Sequence, residues 1–164
     1  MSRHRAPTLI LLLLSGCAGR PETALRRGCQ YLWSQQGPDG GWHSATYGLL
    51  KSGQSLSGFV LNTLLQVPEQ GCMPPAGAKE RAIAFLRRNT NTEGAVGKMD
   101  PLLYDYPNYA TALAVQALRR AGQPVGPLVA WLRTQQFTED HGWKPGDAPY
   151  GAWGMGGDAR TAPD

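Results

Sequence analysis

The chain has 164 residues, of which 41% are hydrophobic and 17% are charged. That composition supplies enough apolar material for a folded core and too little charge for a disordered chain. The formal net charge is only +4, a balance that does not indicate a nucleic-acid partner.

The first sixteen residues have the pattern of an export signal. Two arginines precede a short apolar run over residues 8–14, and this run is too short to cross a bilayer. It ends in Leu-Ser-Gly-Cys at residues 14–17, which resembles the lipobox of bacterial lipoproteins. The resemblance implies cleavage before Cys17, a lipid anchor on that cysteine, and a location in the bacterial cell envelope, where Ala18 favours the outer membrane over the inner one. The alternatives are an ordinary secretory signal or a misassigned start.

Residues 17–22 are expected to form a short tether, and residues 23–164 a domain of helix pairs. In the first predicted helix Leu25, Cys29 and Leu32 fall on one apolar stripe with helical spacing. The first helix pair therefore begins directly after the tether.

The rest of the domain repeats this arrangement. A turn at residues 37–41 ends the first helix, and a second is predicted over residues 54–67. A further pair is predicted at about residues 76–89 and 110–121, stopped by glycine and proline. The expected units are residues 23–75, 76–124 and 125–164.

The third unit is incomplete. Its opening helix is predicted over residues 125–136, and the chain then passes through a glycine-rich segment at residues 150–157 without a second helix. Since no alternating strand pattern of useful length occurs, the predicted fold class is all-α.

One motif occurs twice, a hundred residues apart. An aromatic-Leu pair leads to Gln36 and then to Trp42, and a second pair leads to Gln136 and then to Trp143. A weaker copy without the tryptophan follows Phe85. These residues resemble the QW repeats of terpenoid cyclases such as squalene-hopene cyclase.

That resemblance implies an α/α toroid, the superfamily that also contains protein prenyltransferase β subunits and complement-like thioester domains. Because the third unit lacks its second helix, the expected architecture is an incomplete α/α toroid of helix-pair repeats of about 50 residues. Either the chain is a fragment of a longer protein or partners complete the ring.

The motif is interpreted as structural. A glutamine at a helix end can bond the free backbone groups of the next loop, and a tryptophan can cover that amide and bury a large ring. Gln36, Trp42, Gln136 and Trp143 are therefore predicted to join helices rather than to contact a substrate.

None of the catalytic patterns of the resembled families is found. The chain has no Asp-x-Asp-Asp acid motif, no zinc-ligand set of the prenyltransferase kind and no Cys-Gly-x-x-Gln thioester. Asp100 and Asp105 are interpreted as solvated loop acids. No catalytic residue, metal site or cofactor is predicted.

Aromatic residues gather in the loops at one expected end of the toroid. They line an apolar cavity for a terpenoid, lipid or peptide in one interpretation, pack locally in a second, and anchor a protein partner in a third. The candidate cavity residues are Tyr104, Tyr106, Tyr109, Tyr150 and Trp153.

Two cysteines remain if Cys17 carries lipid. Cys29 and Cys72 are an even pair in a compartment that permits disulfides. Either they form a disulfide between the first helix and the entry to the second unit, or they stay buried thiols.

Two function classes follow from these patterns. The first is an envelope lipoprotein whose toroid repeats form a non-catalytic binding or scaffold module, with a membrane contact through the lipid anchor and a hydrophobic ligand or protein as partner. The second is part of a terpenoid-cyclase-like enzyme whose acid motif lies outside this chain.

Overall fold

The computed structural model describes residues 21–99, 102 and 105–156. Within these ranges the chain is helical, and its one extended pairing is an isolated bridge between Thr90 and Val96. This agrees with the predicted all-α class. The elements are α1 (Pro21–Ser34), a 3₁₀ turn (Gly48–Leu50), α2 (Gln54–Leu64), α3 (Ala78–Arg88), α4 (Pro107–Arg120), α5 (Gly126–Thr134) and a second 3₁₀ turn (Glu139–His141).

The helix ends lie close to the predicted positions, and the largest differences have a local cause. The helical pattern of the second helix continues to Val67, but α2 ends at Leu64. After this point the chain tightens, since the Gln66 N–H donates to Thr63 O and the Val67 N–H to Leu64 O, each at 3.2 Å. Such short-range bonds are typical of a helix that unwinds into a turn.

The centre of the fold is the contact between α2 and α4. A Cβ on Gly58 would lie 3.1 Å from the backbone nitrogen of Ala114, so α4 approaches the α2 backbone closely here. One turn further along, Asn62 donates to Gln116 (3.2 Å) and accepts from Arg120 (2.9 Å). Since the contacts advance in the same direction along both helices, α2 and α4 run parallel.

The helices α3 and α5 pack on the outside of this pair, α3 on α2 and α5 on α4. The buried side of α3 is formed by Ala78, Ala82, Phe85 and Leu86, which fall one and two turns apart on one helical stripe. The arginines of its last turn are exposed. The periodicity of the sequence therefore determines which face of α3 enters the core.

Only the C-terminal half of α1 contributes to the core. Cys29 and Trp33 are buried, whereas Leu25, which the predicted stripe placed inside, is 48% exposed. A disulfide joins Cys29 to Cys72, with the two Cα atoms 5.5 Å apart, and attaches α1 to the connection before α3. The last two residues of the expected tether, 21–22, form the first turn of α1.

Candidate functional site

The loop after α1 is closed by hydrogen bonds to its own backbone and to α3. The Gly37 N–H donates to Gly41 O at 2.7 Å. Gln36 Nε2 donates to Gly40 O (3.0 Å) and to Ala78 O (2.9 Å). Gly40 has a φ of +92°, and a Cβ there would collide with the α3 backbone, so glycine is required. We call this arrangement the loop closure, and it joins the end of α1 to the start of α3.

Trp42 covers the loop closure from the core side. Its indole N–H donates to Leu32 O in the last turn of α1 at 2.6 Å, and its ring centroid lies 5.6 Å from that of Trp33. Its backbone N–H donates to Ser57 Oγ of α2 at 2.8 Å. With 3% of its surface exposed, Trp42 bonds to both helices of the first unit and to little else.

The same loop closure follows α3. The Asn91 N–H donates to Ala95 O at 2.8 Å, and Gly94 has a φ of +95°. The Val96 N–H donates to Thr111 Oγ1 of α4 at 2.9 Å. This copy is therefore geometrically complete, although the sequence pattern shows it only weakly.

The second copy follows the first with a fixed shift in number. Trp42 bonds Ser57 and Val96 bonds Thr111, so both partners move by 54 residues. Val96 is fully buried in the place of the tryptophan. Because valine has no side-chain donor, the second copy has no bond equivalent to the indole bond.

The loop after α5 carries a third copy. Gln136 Nε2 donates to Gly151 O at 2.8 Å, and Gly151 has a φ of +79°. The indole N–H of Trp153 donates to Leu132 O at 2.7 Å, as Trp42 does to its own helix end. The joining tryptophan of the third unit is therefore Trp153.

This corrects the sequence pairing, which placed Trp143 at the third joint. Trp143 packs on Phe137, with ring centroids 5.2 Å apart. The glutamine and glycine of the closure are 15 residues apart here and 4 apart in the first copy, so residues 138–150 form an additional loop that contains Trp143. The spacing Gly-x-Trp, present at residues 151–153 and absent at 141–143, is the signal that could have identified Trp153.

Asp105 caps α2 from a distant part of the chain. Its Oδ2 accepts from Ser52 Oγ (2.9 Å) and the Ser55 N–H (3.0 Å), and its Oδ1 accepts from Ser55 Oγ (2.6 Å). Asp105 is 0% exposed, so its interpretation as a solvated loop acid is wrong. The physical reason is that α2 has no side-chain cap of its own, and a carboxylate is stabilised at the positive end of a helix. Asp100 lies outside the described residues.

Two further amides, which the sequence interpretation missed, link successive units. Gln54 at the start of α2 accepts from the Gly97 N–H at 3.0 Å through Oε1. Asn108 at the start of α4 donates through Nδ2 to Gly154 O at 2.9 Å. The two amides are again 54 residues apart, and each holds the loop of the unit that follows.

An apolar cavity of about 340 Å³ lies between α4, α5 and the Trp153 segment. Tyr109, Trp153 and Met155 are each 43% exposed around it. Asn108 is its buried polar residue, and Asn108 Oδ1 has no hydrogen-bond partner among the described residues. The lining is formed by Asn108, Tyr109, Ala112, Leu132, Trp153 and Met155.

Of the candidate cavity residues, the cavity brings together Tyr109 and Trp153. Tyr106 does not line it; it precedes α4 with a φ of +42°. Tyr150 donates its hydroxyl to both carboxylate oxygens of Glu139, at 2.8 and 2.9 Å, and this bond raises the pKa of Tyr150 above its usual value. Tyr104, like the predicted leader and Cys17, lies outside the described residues.

A charged contact stabilises the first loop. His43 Nε2 lies 3.1 Å from both carboxylate oxygens of Asp39, and His43 Nδ1 lies 2.9 Å from Lys51 O. Burial raises the pKa of Asp39, but bonds from the Gly41 N–H and from His43 outweigh it, so the pKa lies below its usual value of 3.8. The ion pair therefore ties the beginning of this loop to its end.

Two other kinds of site were sought in the described ranges. Residues 21–99, 102 and 105–156 contain no group of three or more His, Cys, Asp or Glu side chains arranged to hold a metal ion. The helices of this part of the chain are also too short or too polar to cross a membrane.

Comparison of the chain with protein-family models, with curated proteins and with solved structures finds no match. The function is therefore inferred from the geometry of the loop closures and of the cavity.

Proposed function

We propose that the protein is a non-catalytic helix-repeat module of the α/α-toroid kind, anchored to the bacterial cell envelope through lipid on Cys17, which binds a hydrophobic ligand beside Trp153. The observation that carries this proposal is the loop closure that recurs after α1, α3 and α5. Each copy uses a left-handed glycine and a backbone pair in the same way, as expected for one structural unit repeated along the chain.

The buried polar groups support a scaffold role. Asp105, Gln54 and Gln36 all bond backbone or side-chain groups of another helix or loop. A group whose hydrogen-bonding capacity is occupied by structural partners holds units together, and losing it costs about 1 to 3 kcal/mol. These residues are therefore assigned to the joints between units.

The cavity supports a ligand of low polarity. Its volume of about 340 Å³ falls in the range of small-molecule sites, which are mostly apolar with a few polar groups that orient the ligand. Tyr109, Leu132 and Met155 supply the apolar walls, and the buried Asn108 amide supplies one acceptor. The class that fits is a hydrocarbon chain with a hydroxyl or amide near one end, as in envelope lipids.

The ligand proposal is tested with phenylnaphthylamine, a neutral apolar fluorophore. We expect saturable binding that dodecanol reverses and that Ala112→Leu abolishes, since a larger side chain fills the cavity. Ala84→Leu, on the exposed side of α3, is the matched control and should bind as the wild type does. Equal binding by both variants would remove the ligand from this cavity.

The anchor is tested separately by metabolic labelling with palmitate in a bacterial host. We expect the wild type and Cys72→Ala to be labelled and Cys17→Ala to remain unlabelled. An unlabelled wild type would withdraw the anchor and leave the cavity proposal standing.

A further inference from the structure

A second, smaller cavity of about 180 Å³ lies on different elements. It is bounded by the C-terminal ends of α1, α2 and α4, by the connection that carries Cys72, and by the start of α3. Apolar side chains form most of its wall, among them Leu64, Val67 and Pro74, and two cations, Lys79 and Arg120, also line it.

An unpaired donor belongs to this cavity. Trp33 is 6% exposed, and its indole N–H has no hydrogen-bond partner among the described residues. The neighbouring Trp42 satisfies the same group with a carbonyl of α1. Because a buried donor without a partner is costly, native structures rarely retain one without a water, an ion or a ligand that accepts from it.

The charges of the cavity have an excess of positive sign. Lys79 and Arg120 line it together with one carboxylate, that of Glu69. Arg120 is held in position because its Nε donates to Asn62 Oδ1 at 2.9 Å. Two cationic groups and an unpaired indole N–H around an apolar space make the cavity rich in donors.

We propose that this cavity binds a small organic carboxylate. One carboxylate oxygen accepts from the Trp33 indole, the charge faces Lys79 and Arg120, and the apolar body of the ligand contacts Leu64 and Val67. Inorganic anions are disfavoured because they cannot use the apolar walls, and neutral analogues are disfavoured because they lack the charge. This site is independent of the cavity beside Trp153.

The test is a titration of the full chain with sodium benzoate at constant ionic strength, followed by the indole N–H signals in ¹H–¹⁵N correlation spectra. The Trp33 signal is assigned by its loss in Trp33→Phe. We expect this signal to move in a saturable manner across the millimolar range. Lys79→Gln should weaken binding at least tenfold, whereas Lys98→Gln, which lies outside the cavity, should leave it unchanged.

Three results would overturn the proposal. One is a Trp33 signal that does not respond to benzoate in the folded wild type. Another is unchanged affinity in Lys79→Gln. The third is equal binding of benzyl alcohol, or of phosphate alone, because either would show that charge and apolar body are not recognised together.

Discussion

Replacing Trp42 by alanine is expected to be among the most destabilising single changes in the protein. A buried tryptophan removes about 150 to 250 Å² from water, and Trp42 is 3% exposed. Core changes from tryptophan to alanine typically cost about 3 to 5 kcal/mol, and the lost indole bond to Leu32 contributes about 1 kcal/mol of this. We therefore expect Trp42→Ala to lower the free energy of unfolding by about 4 kcal/mol.

The other two tryptophans calibrate this expectation. Trp153 makes the equivalent indole bond but is 43% exposed, so Trp153→Ala should cost about half as much, roughly 2 kcal/mol. Trp143 is half-buried in the additional loop and packs on Phe137. Since it joins no helices, Trp143→Ala should cost about 1 kcal/mol or less.

The measurement is urea unfolding followed by far-ultraviolet circular dichroism, which does not depend on the fluorescence of the substituted residue. The slope of the free energy against urea should stay constant across the variants, so that midpoints report stability. A cost for Trp143→Ala that equals or exceeds the cost for Trp153→Ala would refute the assignment of the third joint. A midpoint for Trp42→Ala near that of the wild type would refute the role of the first.

Three further predictions concern the disulfide and two carboxylates. The separation of 43 residues between Cys29 and Cys72 gives a loop-entropy contribution of about 4 kcal/mol, so the double serine variant should unfold at markedly lower urea, and the native wild type should show neither thiol to a thiol reagent. Asp105→Asn should lower the free energy of unfolding by about 2 to 3 kcal/mol, because the amide cannot accept every bond from Ser52 and Ser55; an unchanged melting temperature would contradict the cap. The folded pKa of Asp39 lies below 3.8, so its stabilisation is complete above about pH 3.8 and is lost as the pH falls through the folded pKa. Asp39→Asn should therefore reduce the loss of stability between pH 4 and pH 2 in acid titrations, and an acid limb identical to that of the wild type would exclude the contribution.

The helices could be predicted from local pattern, since stripes such as Ala78, Ala82 and Leu86 depend only on neighbours one and two turns away. The parallel contact of α2 with α4 could not be predicted in this way. It depends on Gly58, where the missing side chain lets the Ala114 backbone approach. Within a helical pattern this glycine reads only as a weak position.

The candidate site was predicted in part for the same reason. Gln36, Trp42 and Gln136 carry a recognisable motif, and all three make the helix-joining bonds. The cap formed by Asp105 leaves no local pattern, because its serine partners lie about fifty residues earlier in the chain. The third tryptophan was misassigned because the number of residues between the glutamine and the glycine is free to vary.

That freedom has a consequence for how the protein can change. The additional loop at residues 138–150 leaves and re-enters the fold through the pair of backbone bonds that joins Phe137 to Gly151 and Ala152. Everything inserted between those points is external to the joint, and lengthening a surface loop costs little once its ends are held. The stem at Phe137 and Ala152 is therefore a natural position for grafting a foreign peptide, one at which the displayed sequence can be exchanged without altering the helices that carry it.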